Sequence, residues 1–362
     1  MPHATAMNAP SSPIAVGASL DRARADEHRA LRWWLWIVLA MIFAMVIIGG
    51  TTRLTGSGLS MVEWQPLIGA VPPLSDADWE RVFAQYRESP QFRQVNHWMG
   101  IEEFKKIFFW EYLHRLVGRL IGVVFAIPFA YFLVRRRMTK RLALLSSVAF
   151  VLGGAQGALG WYMVASGLVD VPAVSHYRLA AHLLLAFATG TYVLWLGLSL
   201  RPRAVEAPAS RSLRAAIAIA MALLVVQIVY GAFMAGTHAG LLSSTFPDMN
   251  GRYSPAHFFT SVHDLLDGPA AIHWTHRTLA WALVLAMTAL SLLARRERAR
   301  AVRIAALCVL VMALIQLTLG AITVILHVPI VWAVTHQAGA FVLLLALAWL
   351  AHEAGLFPRA RL

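Results

Sequence analysis

Eight apolar stretches, each close to the roughly 20 residues that a helix needs to cross a hydrocarbon core, limit this chain to very few folds. They lie at approximately 32–53, 108–133, 142–166, 178–200, 213–236, 269–293, 302–326 and 330–351. Helix is the expected form, because a spanning segment must satisfy its own backbone polar groups in lipid. Hydrophobic residues make up 59% of the chain and charged residues only 14%, so a soluble core is excluded as the organising principle.

The formal net charge is +13, which on its own would raise a nucleic-acid partner. Placement argues against one. Arg22, Arg24, Arg29 and Arg32, the run from Arg135 to Arg141, the stretch Arg201 to Arg214, the stretch Arg295 to Arg303, and Arg359 with Arg361 all fall on one side of an eight-span arrangement. That is the positive-inside distribution, and it puts both termini in the cytoplasm of a bacterial inner membrane protein. The partner it implies is the lipid bilayer, with no nucleic acid. Residues 1–31 have no cleavable apolar core and read as a disordered cytoplasmic tail, and 352–362 reads as a second cytoplasmic tail. Cys308 stands alone within the seventh span, where a small buried apolar residue is expected.

An internal repeat organises the rest. Gly49-Gly-Thr-Thr-Arg-Leu-Thr55-Gly-Ser-Gly58 closes the first span, and Gly231-Ala-Phe-Met-Ala-Gly-Thr237-His-Ala-Gly240 closes the fifth. In the same order, His114-Arg115 recurs as His276-Arg277, Gln156-Gly-Ala-Leu-Gly160 as Gln316-Leu-Thr-Leu-Gly320, and His182 as His336. The spacing between copies shrinks along the chain because the loops of the first half are longer. Four spans per half is an even number, so both halves enter the membrane in the same direction and the repeat axis runs along the membrane normal. The expected fold is an all-α integral membrane protein, with eight transmembrane helices as two pseudo-symmetric four-helix bundles. The first covers 32–200 and includes a long outer loop at 54–107; the second covers 213–351; a cytoplasmic linker at 201–212 joins them.

His114, His182, His276 and His336 all sit about 9 Å inside the outer ends of their spans at the helical rise. Two pairs of imidazoles at equal depth in lipid are costly and point to a bound cofactor. Zinc fits poorly, because each pair lacks a thiolate or third ligand. Axial ligation of haem iron needs one imidazole on each face, which facing helices supply. Arg115, Arg119 and Arg277 are open to two readings, pairing with haem propionates or snorkelling and interhelical bonding. Glu111 shares a helix face with His114, and the matching position in the second half is His273. An acid kept in only one copy points to catalysis; His273 reads as a hydrogen-bond partner. His97, His176, His238, His257, His263 and His327 fall in outer loops or at span ends, and His3, His28 and His352 are expected to be solvated. Gly153, Gly154, Gly157 and Gly160 are read as close-packing positions, or as room for a haem face.

These motifs carry a resemblance. Gly49 to Met61, Trp64-Gln-Pro-Leu67, Phe109-Trp-Glu-Tyr-Leu-His-Arg115 and His273-Trp-Thr-His-Arg277 resemble the haem A synthase family, in the branch shared by proteobacteria and mitochondria. The resemblance runs over nearly all of 32–351. It implies oxidation of the C8 methyl of haem O to the formyl group of haem A, the prosthetic group of aa3-type cytochrome c oxidase, with water as the oxygen source. It also implies His114 and His182 on the substrate haem, Glu111 as the catalytic acid, and His276 and His336 on a haem b cofactor. Haem O synthase and oxidase assembly factors become candidate partners, and a homo-oligomer stays open. The cysteine pair of the Gram-positive branch is missing from the first outer loop, so its redox role does not transfer. The rival reading is a dihaem electron-transfer subunit with both haems permanent. A transporter built on repeats leaves the paired histidines unexplained.

Overall fold

The computed structural model describes residues 13–63, 69, 71–169, 172–201, 207–255 and 259–357, with side chains from residue 28 onward. Trp64 to Leu67, His3, His257, residues 202–206 of the linker, and Arg359 and Arg361 lie outside the described residues. Among the described residues ten α-helices follow in order: α1 Pro13–Leu54, α2 Asp76–Arg87, α3 Ile101–Val134, α4 Lys140–Ala165, α5 His176–Ser199, α6 Arg211–Gly236, α7 Asp264–Asp267, α8 Pro269–Ala294, α9 Arg300–Ile325 and α10 Ile330–Glu353. Eight of them are long and apolar enough to cross a membrane. The chain is a multi-pass membrane protein.

Two helices start earlier than the apolar runs suggest. Helix α1 begins at Pro13 rather than near residue 32, so most of the expected unstructured tail is helical. The stretch is rich in Ala and Arg, which favour helix, and its charged residues keep it from reading as an apolar run. Helix α3 begins at Ile101, where Glu103 accepts from the backbone N–H of Gly100 at 3.2 Å, ahead of the first apolar run.

Helix α1 packs on α3 and α5, and α4 on α5; α6 packs on α8, and α10 on α9. Across the middle, α1 meets α10, α5 meets α6, and α5 meets α10. Phe187 and Phe341, spaced along the chain as His182 and His336 are, pack on each other with ring centres 4.7 Å apart. Arg53 Nη1 donates to the carbonyl of Ala235 at 2.9 Å, and these two residues hold matching places in the repeated turns. Residues at equivalent repeat positions touch only close to the axis relating the halves. One contact lies in mid-helix and the other at the helix ends, consistent with an axis along the helices.

The outer loop of the first half is partly built. Helix α2 starts with Ser75, whose hydroxyl accepts from Asp78 N while Asp78 accepts from Ser75 N. Tyr86, Phe104, Ile107 and Phe108 form a small core of their own over the outer end of α3, with Trp79, Phe83 and Phe92 packed around it. Gln91 Nε2 donates to the carbonyl of Gly56 at 2.8 Å, which ties this cap to the Gly-rich turn.

Two sequence expectations are corrected. Cys308 is exposed on α9 rather than buried, because in lipid an apolar residue gains nothing from facing inward. His352 is buried near the end of α10 rather than solvated, and the chain before α6 packs at this end, where Ala209 N donates to Ala354 O at 3.1 Å.

Candidate haem sites

His276 on α8 and His336 on α10 face each other across the second bundle, with ring centres 6.4 Å apart and planes at 84°. Two metal–nitrogen bonds of about 2 Å plus the ring radii give a separation of about 6 Å for imidazoles sharing one metal ion. The rings therefore fit an iron between them. The Nδ1 atoms of both rings are buried without a hydrogen-bond partner. Among the described residues there is no cluster of three or more His, Cys, Asp and Glu, so a zinc-type donor set is missing and two imidazoles per site remain.

Each ring is seated against a glycine on a neighbouring helix. A methyl group on Gly320 would come 2.9 Å from His336 Cε1, and one on Gly231 would come 3.2 Å from His276 Cε1. The first half repeats this. A methyl on Gly160 would come 3.0 Å from His182 Cε1, and one on Gly49 would come 3.1 Å from His114 Nε2. The Gln-x-x-Leu-Gly motif thus has a structural meaning. Its glutamine, one turn before the glycine, donates Nε2 to the backbone carbonyl of the histidine: Gln156 to His182 at 3.0 Å and Gln316 to His336 at 2.7 Å. Gln227 does the same for His276 at 3.0 Å. Sequence reading missed Gln227 because the matching position in the first half is Met45, although a glutamine deep in a membrane helix was itself a signal.

Arg115 and Arg277 hold the outer loops. Arg115 donates to the carbonyls of Met61 at 2.8 Å and Glu63 at 3.0 Å. Arg277 donates to the carbonyls of Ser243 at 3.4 Å, Thr245 at 2.7 Å and Asp248. Counted from the repeated turns, Ser243 and Thr245 hold the places of Met61 and Glu63, so the same loop carbonyls are gripped in both halves. The contacts seen for both arginines are to loop carbonyls and to the residue one turn earlier on their own helix. Arg119 is half-buried one turn further along α3.

Glu111 is 3% exposed and fully engaged. One carboxylate oxygen takes Arg115 Nη2 at 2.5 Å, and the other takes the Ser60 hydroxyl and Met61 N–H, both at 2.7 Å. Ser60 and Met61 come from the loop, a connection that no local pattern announces. All three partners donate, which suits a carboxylate that only accepts. At the matching position His273 is completely buried, and its Nε2 accepts from Arg277 Nε at 2.9 Å.

Other described histidines have other surroundings. His97 is exposed beside the outer cap. His176 and His263 both approach Asp267, at 3.3 and 3.1 Å. His238 adopts φ +54°, the left-handed turn conformation that Gly56 adopts at φ +67° at the matching place in the first half.

A model of the cytochrome oxidase assembly protein family matches residues 32–348. Among curated relatives, the "Heme A synthase" of Nitrosospira multiformis is 44% identical over 327 residues, covering 88% of this chain and 92% of the relative. That of Nitrosomonas eutropha is 39% identical over 95% of this chain and 99% of its own length, and that of Rhodospirillum centenum 44% over 91% and 89%. With the match covering all eight spanning helices, this chain belongs to the cytochrome oxidase assembly protein family that includes these heme A synthases.

Proposed function

We propose that this protein is a haem A synthase that oxidises the C8 methyl of haem O to a formyl group, at His114, His182 and Glu111 of the first bundle. The observation that carries the reading is the pair of matching imidazole seats, of which only the first has a carboxylate beside it. The second seat, His276 and His336, holds a haem b cofactor, which when bound supplies a one-electron relay from the substrate. The bundles run over 32–200 and 213–351, and the arginine-rich ends of the helices face the cytoplasm of a bacterial inner membrane.

The residues have separable tasks. His114 and His182 fix the substrate haem through its iron, and Gly49 and Gly160 let the rings approach. Gln156 anchors the backbone of His182. Glu111, held in place by Arg115, Ser60 and Met61, stabilises positive charge developing at the methyl carbon and takes protons released as water adds. Converting a methyl to a formyl group consumes one water and releases four electrons and four protons, so a proton acceptor and an electron route are both required. Arg115 and Arg277 keep their loops closed over the sites and position their neighbours, and Arg119 would pair with a haem propionate.

The seam between α3 and α4 supports putting the exchangeable haem in the first half. These helices touch over a shorter stretch than α8 and α9. A Cβ on Gly153, Gly154 or Gly157 would meet nothing within 4 Å, whereas the matching positions hold Ala313, Leu314 and Leu317. A substrate that must enter and leave needs such an opening, and a resident cofactor does not. Haem O synthase and oxidase assembly factors are the partners this activity requires.

Haem extraction from cells that express haem O synthase, with and without this protein, tests the reading. Haem A appears only with the protein present. No haem A above the control would favour a dihaem electron-transfer subunit.

A further inference from the structure

On the arginine-rich side, where the spanning part of α1 begins and α5 ends, Arg29, Arg32 and Arg201 line one concavity of about 300 Å³ together with Trp33 and Trp36. No ion pair among the described residues uses any of the three guanidinium groups. Trp36 forms the inner wall. Its ring lies so close to Gly197 of α5 that a methyl there would come 2.8 Å from Cη2, so the indole bridges the two helices. Trp33 is 60% exposed, as expected of an indole at the edge of the hydrocarbon.

The second half provides an internal comparison. Counted from the repeated turns, Arg211 and Arg214 hold the places of Arg29 and Arg32, but Ala215 and Ala218 replace the two tryptophans. The position of Arg201 is taken by Gly355, and Pro208 packs within 3.3 Å of where its side chain would start. The chain before α6 thus covers this place, with Ala209 bonded to Ala354 and Ser210 to Glu297. Among the described residues, the first half leaves its arginines around a hollow where the second half does not.

We propose that this hollow binds the phosphodiester headgroup of an anionic phospholipid in the leaflet on the arginine-rich side. Three cationic forks around a concave space fit phosphate oxygens, and an apolar indole wall at the bilayer edge fits the glycerol and the start of the acyl chains. A soluble anion would use the guanidinium groups but not the tryptophans.

Native mass spectrometry of the full-length protein from detergent, titrated separately with phosphatidylglycerol, phosphatidylcholine and inorganic phosphate, tests this. The wild type retains phosphatidylglycerol in preference to phosphatidylcholine. Arg29→Gln with Arg32→Gln weakens that binding roughly thirtyfold, at about a tenfold loss per 1.4 kcal/mol and about 1 kcal/mol per basic residue. Arg211→Gln with Arg214→Gln removes the same charge and leaves binding unchanged. If the first pair prevents folding, Arg201→Gln, at an exposed position, gives a loss of roughly fivefold. Equal losses in the two double variants, equal retention of both lipids, or inorganic phosphate binding as tightly as lipid would each overturn the proposal.

Discussion

Arg277 donates its Nε to His273 at 2.9 Å, at the place in the second half where Arg115 in the first half meets Glu111 at 2.5 Å. The arginine and its loop carbonyls are common to both copies, and only the partner one helical turn earlier differs. That single difference converts a hydrogen bond from a cation to a ring nitrogen into a buried ion pair beside one histidine pair.

The two arginines therefore differ in what their removal leaves behind. Arg115→Ala strands the Glu111 carboxylate, 3% exposed, and costs about 3–5 kcal/mol, the usual penalty for an uncompensated buried charge. Arg277→Ala leaves only unpaired carbonyls and a ring nitrogen, and costs about 1–3 kcal/mol. Thermal unfolding of the two variants in the same detergent shows the larger drop for Arg115→Ala.

Glycine replacements should empty the two haem seats independently. Gly320→Val pushes against His336 and removes most of the resident haem, whereas Gly160→Val pushes against His182 and spares it. The measurement is the absorbance of low-spin haem in each purified variant. In Gly160→Val the resident haem persists and haem A is no longer made.

Acid pH should loosen the cap over α3. Asp78, at the start of α2, is held below its ordinary value of 3.8 by the Ser75 hydroxyl first and by Arg81 next. A depressed carboxylate stabilises the fold fully above its unfolded pKa, and that contribution is lost as pH falls through the lower folded value. Hydrogen exchange in 76–87 therefore quickens only below about pH 4, and Ser75→Ala produces the same quickening at neutral pH.

Much of this was legible in the sequence because membrane helices announce themselves by apolar length, and a repeat exposes what is shared. The paired histidines, Gln156 and Gln316 with their glycines, and the substitution of His273 for Glu111 all emerge when the halves are aligned. What stayed hidden depends on contacts between distant segments. Ser60 and Met61 reach Glu111 across a loop that has no periodic signal. The helical stretch before residue 32 is charged, so an apolar-length criterion passes over it. Cys308 and His352 were misplaced because hydrophobicity alone does not say whether a membrane residue faces lipid or protein.

The most direct test is the haem content of Glu111→Gln, produced in cells that supply haem O. Glutamine keeps one carbonyl oxygen to accept from Ser60 and Met61, and Arg115 still grips the loop through the carbonyls of Met61 and Glu63, so the loop stays in place while the negative charge is removed. The variant should retain haem at both seats yet lose haem A production by roughly a hundredfold or more, the scale of a lost acid–base or charge-stabilising group. Haem A formed at the wild-type level, with both haems bound, would contradict the assignment of the chemistry to Glu111 and the first bundle.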